Sequence, residues 1–506
     1  MAPAFLRSFL PKRERSQHDR TFWEAVKTIT WTQWALFFVG WLAWTCDAVD
    51  FFSVSLSVSL LEEQFGKDTS DITESITLTL LFRSLGAVIF GLISDRYGRK
   101  WPLVWNLLLC AILELGSGFV NTFAQFLAVR SLFGIAMGGI WGLASATALE
   151  SLPVEVRGAA SGLIQEGYAV GYLFAAVINL YLVPTVSQSW RSLFWCAAGM
   201  SFFAAVVRAV LPESEIFLRA KAARRAHEAA GGQVMSAKSK TRIFLHETKE
   251  MLKVHWKLCI YAVLLMSGFN FLSHGSQDLY PTYLKTTKGF NNHQATVATI
   301  IGNCGAIVGG GIAGALSQYI GRRLTIIIFL LLIGAFIPLW TLPSSFSALA
   351  AGAFCIQVGV QGAWGVIPIA LAELSPPAFR GTFPGVAYQL GNMVSSASAQ
   401  IEATGGKHQR LLLNGKDTPD YAKVQQIFIG IITAYTLILV IVGPENHGSH
   451  FEKHKVAFEE GAARDDAFVE DDDVIPTGEV ARRSRSGSAS DGVDNEKEEI
   501  RQKETV

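Results

Sequence analysis

Charge is what this sequence has least of. Of 506 residues only 17% are Asp, Glu, Lys or Arg, while 50% are hydrophobic; a soluble domain carries about a quarter charged residues. The deficit is uneven. Charges crowd into 1–27, 212–257 and 445–506 and leave long apolar blocks between. No basic face is joined to a soluble fold, which excludes a nucleic-acid binder, and the apolar blocks exclude a soluble globular enzyme or a disordered scaffold. No nucleophile–base constellation or cofactor loop stands out, so neither catalysis nor a cofactor is expected. Cysteine is scarce too. The six thiols (Cys46, Cys110, Cys196, Cys259, Cys304, Cys355) all lie in apolar segments, none close in sequence to another Cys or His. That spacing supports neither a disulfide framework nor a metal site, and the thiols read as small buried hydrophobes. A signal peptide is not expected either, because the run Ala2–Leu10 is broken by Arg7 and followed by Lys12, Arg13, Arg15 and Arg20.

What is present is enough apolar sequence for twelve membrane-crossing helices of about 20 residues each. Apolar runs and their breakers place them at 33–61, 73–93, 101–121, 123–149, 158–184, 191–211, 257–284, 293–317, 323–342, 346–372, 380–403 and 424–443. The fold class is therefore an all-α polytopic membrane protein. Its expected parts are an N-terminal segment 1–32, a six-helix bundle 33–211, a central loop 212–256, a second bundle 257–443 and a charged, Ser-rich tail 444–506. Alternate connections carry Arg96/Arg99/Lys100, Arg157, the basic central loop, Arg322/Arg323 and Arg380. By the positive-inside rule these share the cytoplasm with both termini. Loop 404–423 dissents, with Lys407, Arg410, Lys416 and Lys423.

A shift of 223 residues superimposes the two bundles without a gap. Gly86, Gly91, Ser94, Gly98 and Arg99 fall on Gly309, Gly314, Ser317, Gly321 and Arg322. Gly139, Trp141 and Gly142 fall on Gly362, Trp364 and Gly365. Glu150, Pro153, Arg157, Gly158 and Gly162 fall on Glu373, Pro376, Arg380, Gly381 and Gly385. Two related six-helix halves joined by a polar loop is the arrangement of a transporter, with its substrate near mid-membrane between the halves.

The loop Gly91-Leu-Ile-Ser-Asp95-Arg96-Tyr97-Gly98-Arg99-Lys100, echoed more faintly at Gly314–Arg323, resembles the signature of the major facilitator superfamily. That resemblance implies two pseudo-symmetric bundles of the major facilitator fold. It also gives Gly91, Asp95, Arg96, Gly98 and Arg99 a gating role on the cytoplasmic side. In the echo Gln318 replaces the acid, so the second latch is expected to be weaker. A topogenic basic loop is the plainer alternative.

The seventh span reads Asn270-Phe-Leu-Ser273-His274-Gly-Ser276-Gln277-Asp278-Leu-Tyr-Pro281-Thr282. Asn270, His274 and Asp278 recur every four residues and form one polar stripe on a helix, flanked by Ser273 and Gln277. Pro281 cannot donate to the carbonyl of Gln277, so the helix should bend there and leave an acceptor free. Ionisable groups in a bilayer line a cavity or a proton path, or else pair to hold a structural kink. The stretch is similar, position for position, to the signature of the fungal Jen-type lactate/pyruvate permeases, and the superfamily resemblance covers roughly 30–445. It implies that Asn270, Ser273, His274 and Gln277 bind substrate and that His274 and Asp278 handle a proton.

An anion carrier also needs a buried cation. Arg83 lies twelve residues before Asp95, about 18 Å at helical rise and so near mid-membrane. It looks like the substrate-binding arginine of the Jen-type carriers; the rival reading pairs it with an internal acid such as Glu166, and both can hold in turn. Gln389, at matching depth in the eleventh span, resembles that family's polar ligand or else serves helix packing. Glu166 and Asp50 are further proton-site candidates. Asp47 and Asp50 form a D-x-x-D also familiar from aromatic-acid/proton carriers, and either relay protons or pair with Arg130 or another base. Glu150/Arg157 and Glu373/Arg380 look structural. The resemblance implies a plasma-membrane symporter of a short monocarboxylate anion, lactate or pyruvate, and a proton. A dicarboxylate or aromatic-acid symporter and a non-transporting carboxylate sensor are the alternatives, and the tail is a site for regulatory proteins.

Overall fold

The computed structural model describes residues 21–150, 152–213, 218, 237–376, 379, 382–413 and 415–444. The basic stretch 1–20, Arg380, the tail from 445, and the side chains of Asp95 and Arg96 lie outside the described residues. The helices are α1 (Phe22–Thr28), α2 (Trp31–Phe65), α3 (Thr69–Tyr97), α4 (Lys100–Ser117), α5 (Phe123–Met137), α6 (Ile140–Leu149), α7 (Val154–Tyr181) and α8 (Trp190–Val210). After the central loop come α9 (Ala237–Val254), α10 (Trp256–Gln277), α11 (Tyr280–Thr286), α12 (Asn292–Ile320), α13 (Arg322–Thr341), α14 (Phe346–Gly365), α15 (Ile367–Leu374), α16 (Phe383–Ser395), α17 (Ser398–His408) and α18 (Tyr421–Val442). A hairpin of β1 (Arg410–Leu413) and β2 (Lys416–Pro419) precedes α18.

Among the described residues, ten helices or helix pairs are long and apolar enough to cross a membrane. With α4 and the α16–α17 pair they form the twelve spans of the major facilitator fold. Four spans are broken rods: α5–α6, α10–α11, α14–α15 and α16–α17. The central loop was expected to be merely polar, yet α9 forms there.

The repeat extends to the caps. Asp68 forms a capping box with Asp71 at the start of α3, and Asn291 does so with Gln294 at the start of α12, both 223 residues on. These side chains satisfy the orphan N–H groups of a helix start at the rim. Gly98 (φ 96°) and Gly321 (φ 93°) end the same two helices in a backbone conformation closed to most side chains. The halves meet mainly where α7 crosses α12 and α3 lies along α16. The shift exchanges these two crossings, as a pseudo-twofold axis requires.

The dissenting loop now has a physical account. Lys407 lies 3.5 Å from Asp68 and donates to Ser70, while Arg410 pairs with Asp417 across the hairpin at 3.0 Å. Its positive charge is met by nearby acids. The cysteines are all free, but only Cys46 and Cys110 are buried; Cys304 is exposed, because a thiol costs little on an apolar surface.

Candidate functional site

Arg83 is placed by a close helix crossing. A Cβ on Gly138 would sit 2.0 Å from the Arg83 carbonyl oxygen, so the glycine lets the α5–α6 break press against α3. The guanidinium is fully buried. Its Nη2 donates to Asp47 Oδ2 at 2.7 Å, whereas Nε and Nη1 have no hydrogen-bond partner. The rival pairing with Glu166 is not what forms. Asp47 of α2 faces the same interior and takes the cation, while Glu166 lies against Gly310 and Gly311 of α12 on the seam between the halves. Nor does Arg130 go to Asp47 or Asp50; it pairs with Glu114 at 2.7 Å. Asp50 accepts from Ser201 at 2.7 Å, within electrostatic reach of Glu114 and Arg130.

On the other side the polar stripe forms as the spacing predicts. His274 Nδ1 is 3.1 Å from Asp278 Oδ2, and its Nε2 is 3.1 Å from Asn392 Oδ1. The helix breaks after Gln277 and restarts at Tyr280 with Pro281 in its first turn. The Gln277 carbonyl so released accepts from the Tyr172 hydroxyl of the other half at 3.2 Å. Ser273 donates to Gln277 Oε1 at 3.1 Å, and Gln277 Nε2 donates to Gln357 at 2.9 Å. Asn270 Nδ2 donates to the Tyr388 carbonyl, and Gln389 Nε2 donates to the Gly138 carbonyl. Gln389 Oε1 in turn accepts from Asn392 at 2.8 Å.

Tyr388 joins the two sides. It lies within electrostatic reach of Arg83 and Asp47 and hydrogen-bonds through its side chain to Asn392, which holds His274. Tyr168 is within reach of Arg83, Asp47 and Asp278 alike. Trp141 stacks on Tyr388 at 4.5 Å, and its repeat-mate Trp364 meets the same ring edge-on at 5.7 Å. Trp44 stacks on Tyr168, and Phe51 lies 5.5 Å from His274. The result is a buried aromatic cluster with a cation–carboxylate pair on one side and an imidazole–carboxylate pair on the other. The sequence reading passed over Tyr168, Asn392 and Trp44; Tyr388 and Asn392 sit beside Gln389, and the matched tryptophans were the one signal pointing to this ring.

The cluster is buried. Arg83, Asp47 and Asp278 have no exposed surface and His274 is 2% exposed. At one end, Gly142 meets Gly385 and Gly162 meets Gly314 across the halves. At the other end Lys285 donates to Ser59 and Gln400 to Ser70. The basic loops carry repeated ion pairs: Arg99 with Glu150 and, 223 residues on, Arg322 with Glu373, each at 3.0 Å. Glu150 and Glu373 thus answer the loop arginines of their own halves.

A model of the sugar (and other) transporter family matches residues 21–458. The chain belongs to the sugar (and other) transporter family. A family relative from Saccharomyces cerevisiae named as a carboxylic acid transporter protein homolog is 38% identical over 438 residues, covering 84% of this chain and 71% of that protein. A cis,cis-muconate transport protein of Acinetobacter baylyi is 25% identical and covers 73% of this chain and 87% of its own. A putative niacin/nicotinamide transporter of Bacillus subtilis is 25% identical and covers 70% and 84%. Among solved structures, the xylose transporter XylE from E. coli, in a partially occluded inward-open conformation, superimposes with TM-score 0.64. It is 16% identical, and the match covers 83% of this chain and all of that one. The likeness establishes the major facilitator fold that the loop signature implied.

Proposed function

We propose that this protein is a plasma-membrane symporter that carries a short monocarboxylate, lactate or pyruvate, together with a proton. The observation that carries the reading is a buried guanidinium with donors to spare, facing a His274–Asp278 couple across the two halves. Charge-assisted hydrogen bonds from a guanidinium are the strongest common way to hold a carboxylate. Asn270, Ser273, Gln277 and Gln389 supply polar ligands around it, and His274 and Asp278 receive the proton. Glu166 and Asp50 are secondary proton sites, and the Gly91–Arg99 loop, with Asp95 and Arg96, gates the cytoplasmic side. Both termini lie in the cytoplasm, the halves comprise 33–211 and 257–443, and the charged tail takes regulatory proteins.

Coupling has a clear energetic reason. A carboxylic acid with a pKa near 4 is almost wholly anionic at pH 6. Carrying the bare anion into a negative interior costs about 2.3 kcal/mol per 100 mV. A proton carried along cancels that cost and adds about 1.4 kcal/mol per pH unit of gradient. The yeast relative's name supports an organic acid as cargo.

One observation favours a second reading. Trp44, Trp141, Tyr168, Tyr388 and Trp364 pack into one aromatic cluster beside the buried ion pairs, and the relatives named for muconate and niacin suggest an aromatic acid or a dicarboxylate. Competition of labelled lactate uptake by succinate, benzoate and nicotinate separates the substrates. Lactate counterflow in proteoliposomes together with substrate-dependent external alkalinisation tests the function. A sensor shows no counterflow, and its absence with every acid refutes the transport reading.

A further inference from the structure

One fully buried carboxylate has no part in the site described so far. Glu402 lies on α17, the outer half of the eleventh span, and has no exposed surface. Gln425 Nε2 of α18 donates to its Oε2 at 2.8 Å. Glu402 Oε1, Gln425 Oε1 and the Ser398 hydroxyl make no hydrogen bond among the described residues, and no Lys, Arg or His there pairs with the carboxylate. From α10, Asp278 faces it within electrostatic reach, and from α18, Tyr421 does so. The α3 side contributes the backbone of Ser70 and, at the rim, the Lys407–Asp68 pair.

A carboxylate held by one neutral amide in a bilayer-spanning bundle is costly when charged. A second carboxylate within electrostatic reach, Asp278, makes a charge on Glu402 costlier still. Tyr421 also hydrogen-bonds Thr69 of the first half, whose hydroxyl donates to Glu62, a half-buried acid at the outer rim. In the proposed orientation, Glu62, Thr69, Tyr421, Glu402, Asp278 and His274 are a succession of proton-bearing groups from the outer rim to the buried cluster.

We infer that Glu402 is the carboxylate through which protons from the outer face reach the Asp278–His274 couple. A proton from bulk water neutralises Glu402 and then moves to Asp278 or His274. Glu402 is left charged and takes the next proton from water. The inference rests on the proton-coupled reading above.

The test uses the full chain in proteoliposomes. Lactate counterflow needs exchange but no net proton movement, whereas accumulation driven by a pH gradient needs both. E402Q is expected to keep counterflow within about twofold of the parent and to lose at least tenfold in gradient-driven accumulation. E402D, which keeps a titratable group, recovers part of the loss. Accumulation by E402Q equal to the parent's, or equal loss of counterflow and accumulation in both variants, overturns the relay. Should E402Q fail to reach the membrane, Gln425→Leu leaves the carboxylate in place without its donor. The external pH of half-maximal uptake then moves upward, and an unmoved profile overturns the inference. A parent protein that exchanges lactate without any response to a pH gradient refutes the proton-coupled function itself, and the relay with it. A coupled parent with an unaffected E402Q removes only the relay.

Discussion

Arg83→Lys separates charge from geometry at the proposed anion site. Lysine keeps a positive charge beside Asp47, so the buried pair at 2.7 Å is conserved in kind and the bundle should assemble. What is lost is the planar fork, including the free Nε and Nη1 donors. A hydrogen bond between charged groups contributes about 1.5–3 kcal/mol. Losing roughly 2–3 kcal/mol of carboxylate binding raises the half-saturation concentration about 30- to 150-fold, since 1.4 kcal/mol is tenfold. Arg83→Ala is the control: it strands Asp47 in the core at a cost of about 3–5 kcal/mol, so it should lower folded yield. Adding Asp47→Ala should restore the yield without restoring uptake. The assay is concentration-dependent uptake in cells, normalised to surface-labelled protein. An Arg83→Lys carrier with unchanged half-saturation and normal surface level refutes the clamp.

Other substitutions probe the frame. Glu373→Gln should destabilise by roughly 3–5 kcal/mol because the Arg322–Glu373 pair is nearly buried, whereas its repeat-mate Glu150→Gln, on a pair 16% and 25% exposed, should cost about 1 kcal/mol or less. Thermal stability of the two purified variants compares them directly, and equal losses contradict the argument. Gly162→Leu puts a side chain where a Cβ already lies 2.5 Å from the Gly310 carbonyl oxygen. It should abolish transport at normal surface level by preventing closure of this end of the bundle, and normal uptake would show that the crossing does not close tightly. Tyr172→Phe removes the donor to the Gln277 carbonyl and should lower stability by about 1 kcal/mol, read as a melting shift.

The layout was legible because the bilayer enforces it. Backbone groups must be satisfied within each span, so hydropathy alone marks the helices. The 223-residue repeat and the stripe at Asn270, His274 and Asp278 were legible because register and helical spacing are local properties. The bend at Pro281 was legible for the same reason. The Asp47–Arg83 and Glu114–Arg130 pairs were not. Which buried acid meets which base depends on the rotation of each helix about its axis, and in apolar surroundings periodicity says little about that, since lipid and protein neighbours look alike. Glu166 sat at a plausible depth for Arg83 and yet faces Gly310 and Gly311. Glu402 escaped notice because its neighbours, Gln425 of α18 and Asp278 of α10, come from other helices whose rotation about their axes the sequence does not give.

Phe51 and His274 occupy corresponding positions of the two repeats, and their rings nearly touch at 5.5 Å. The counterpart of Arg83 is Ala306, and that of Asp278 is Ser55. On the proposed function the twin scaffolds divide the labour, one bundle keeping the anion's cation and the other the proton's base. On that reading neither bundle expressed alone holds both halves of the chemistry, and cargo and proton meet only where the twins face each other.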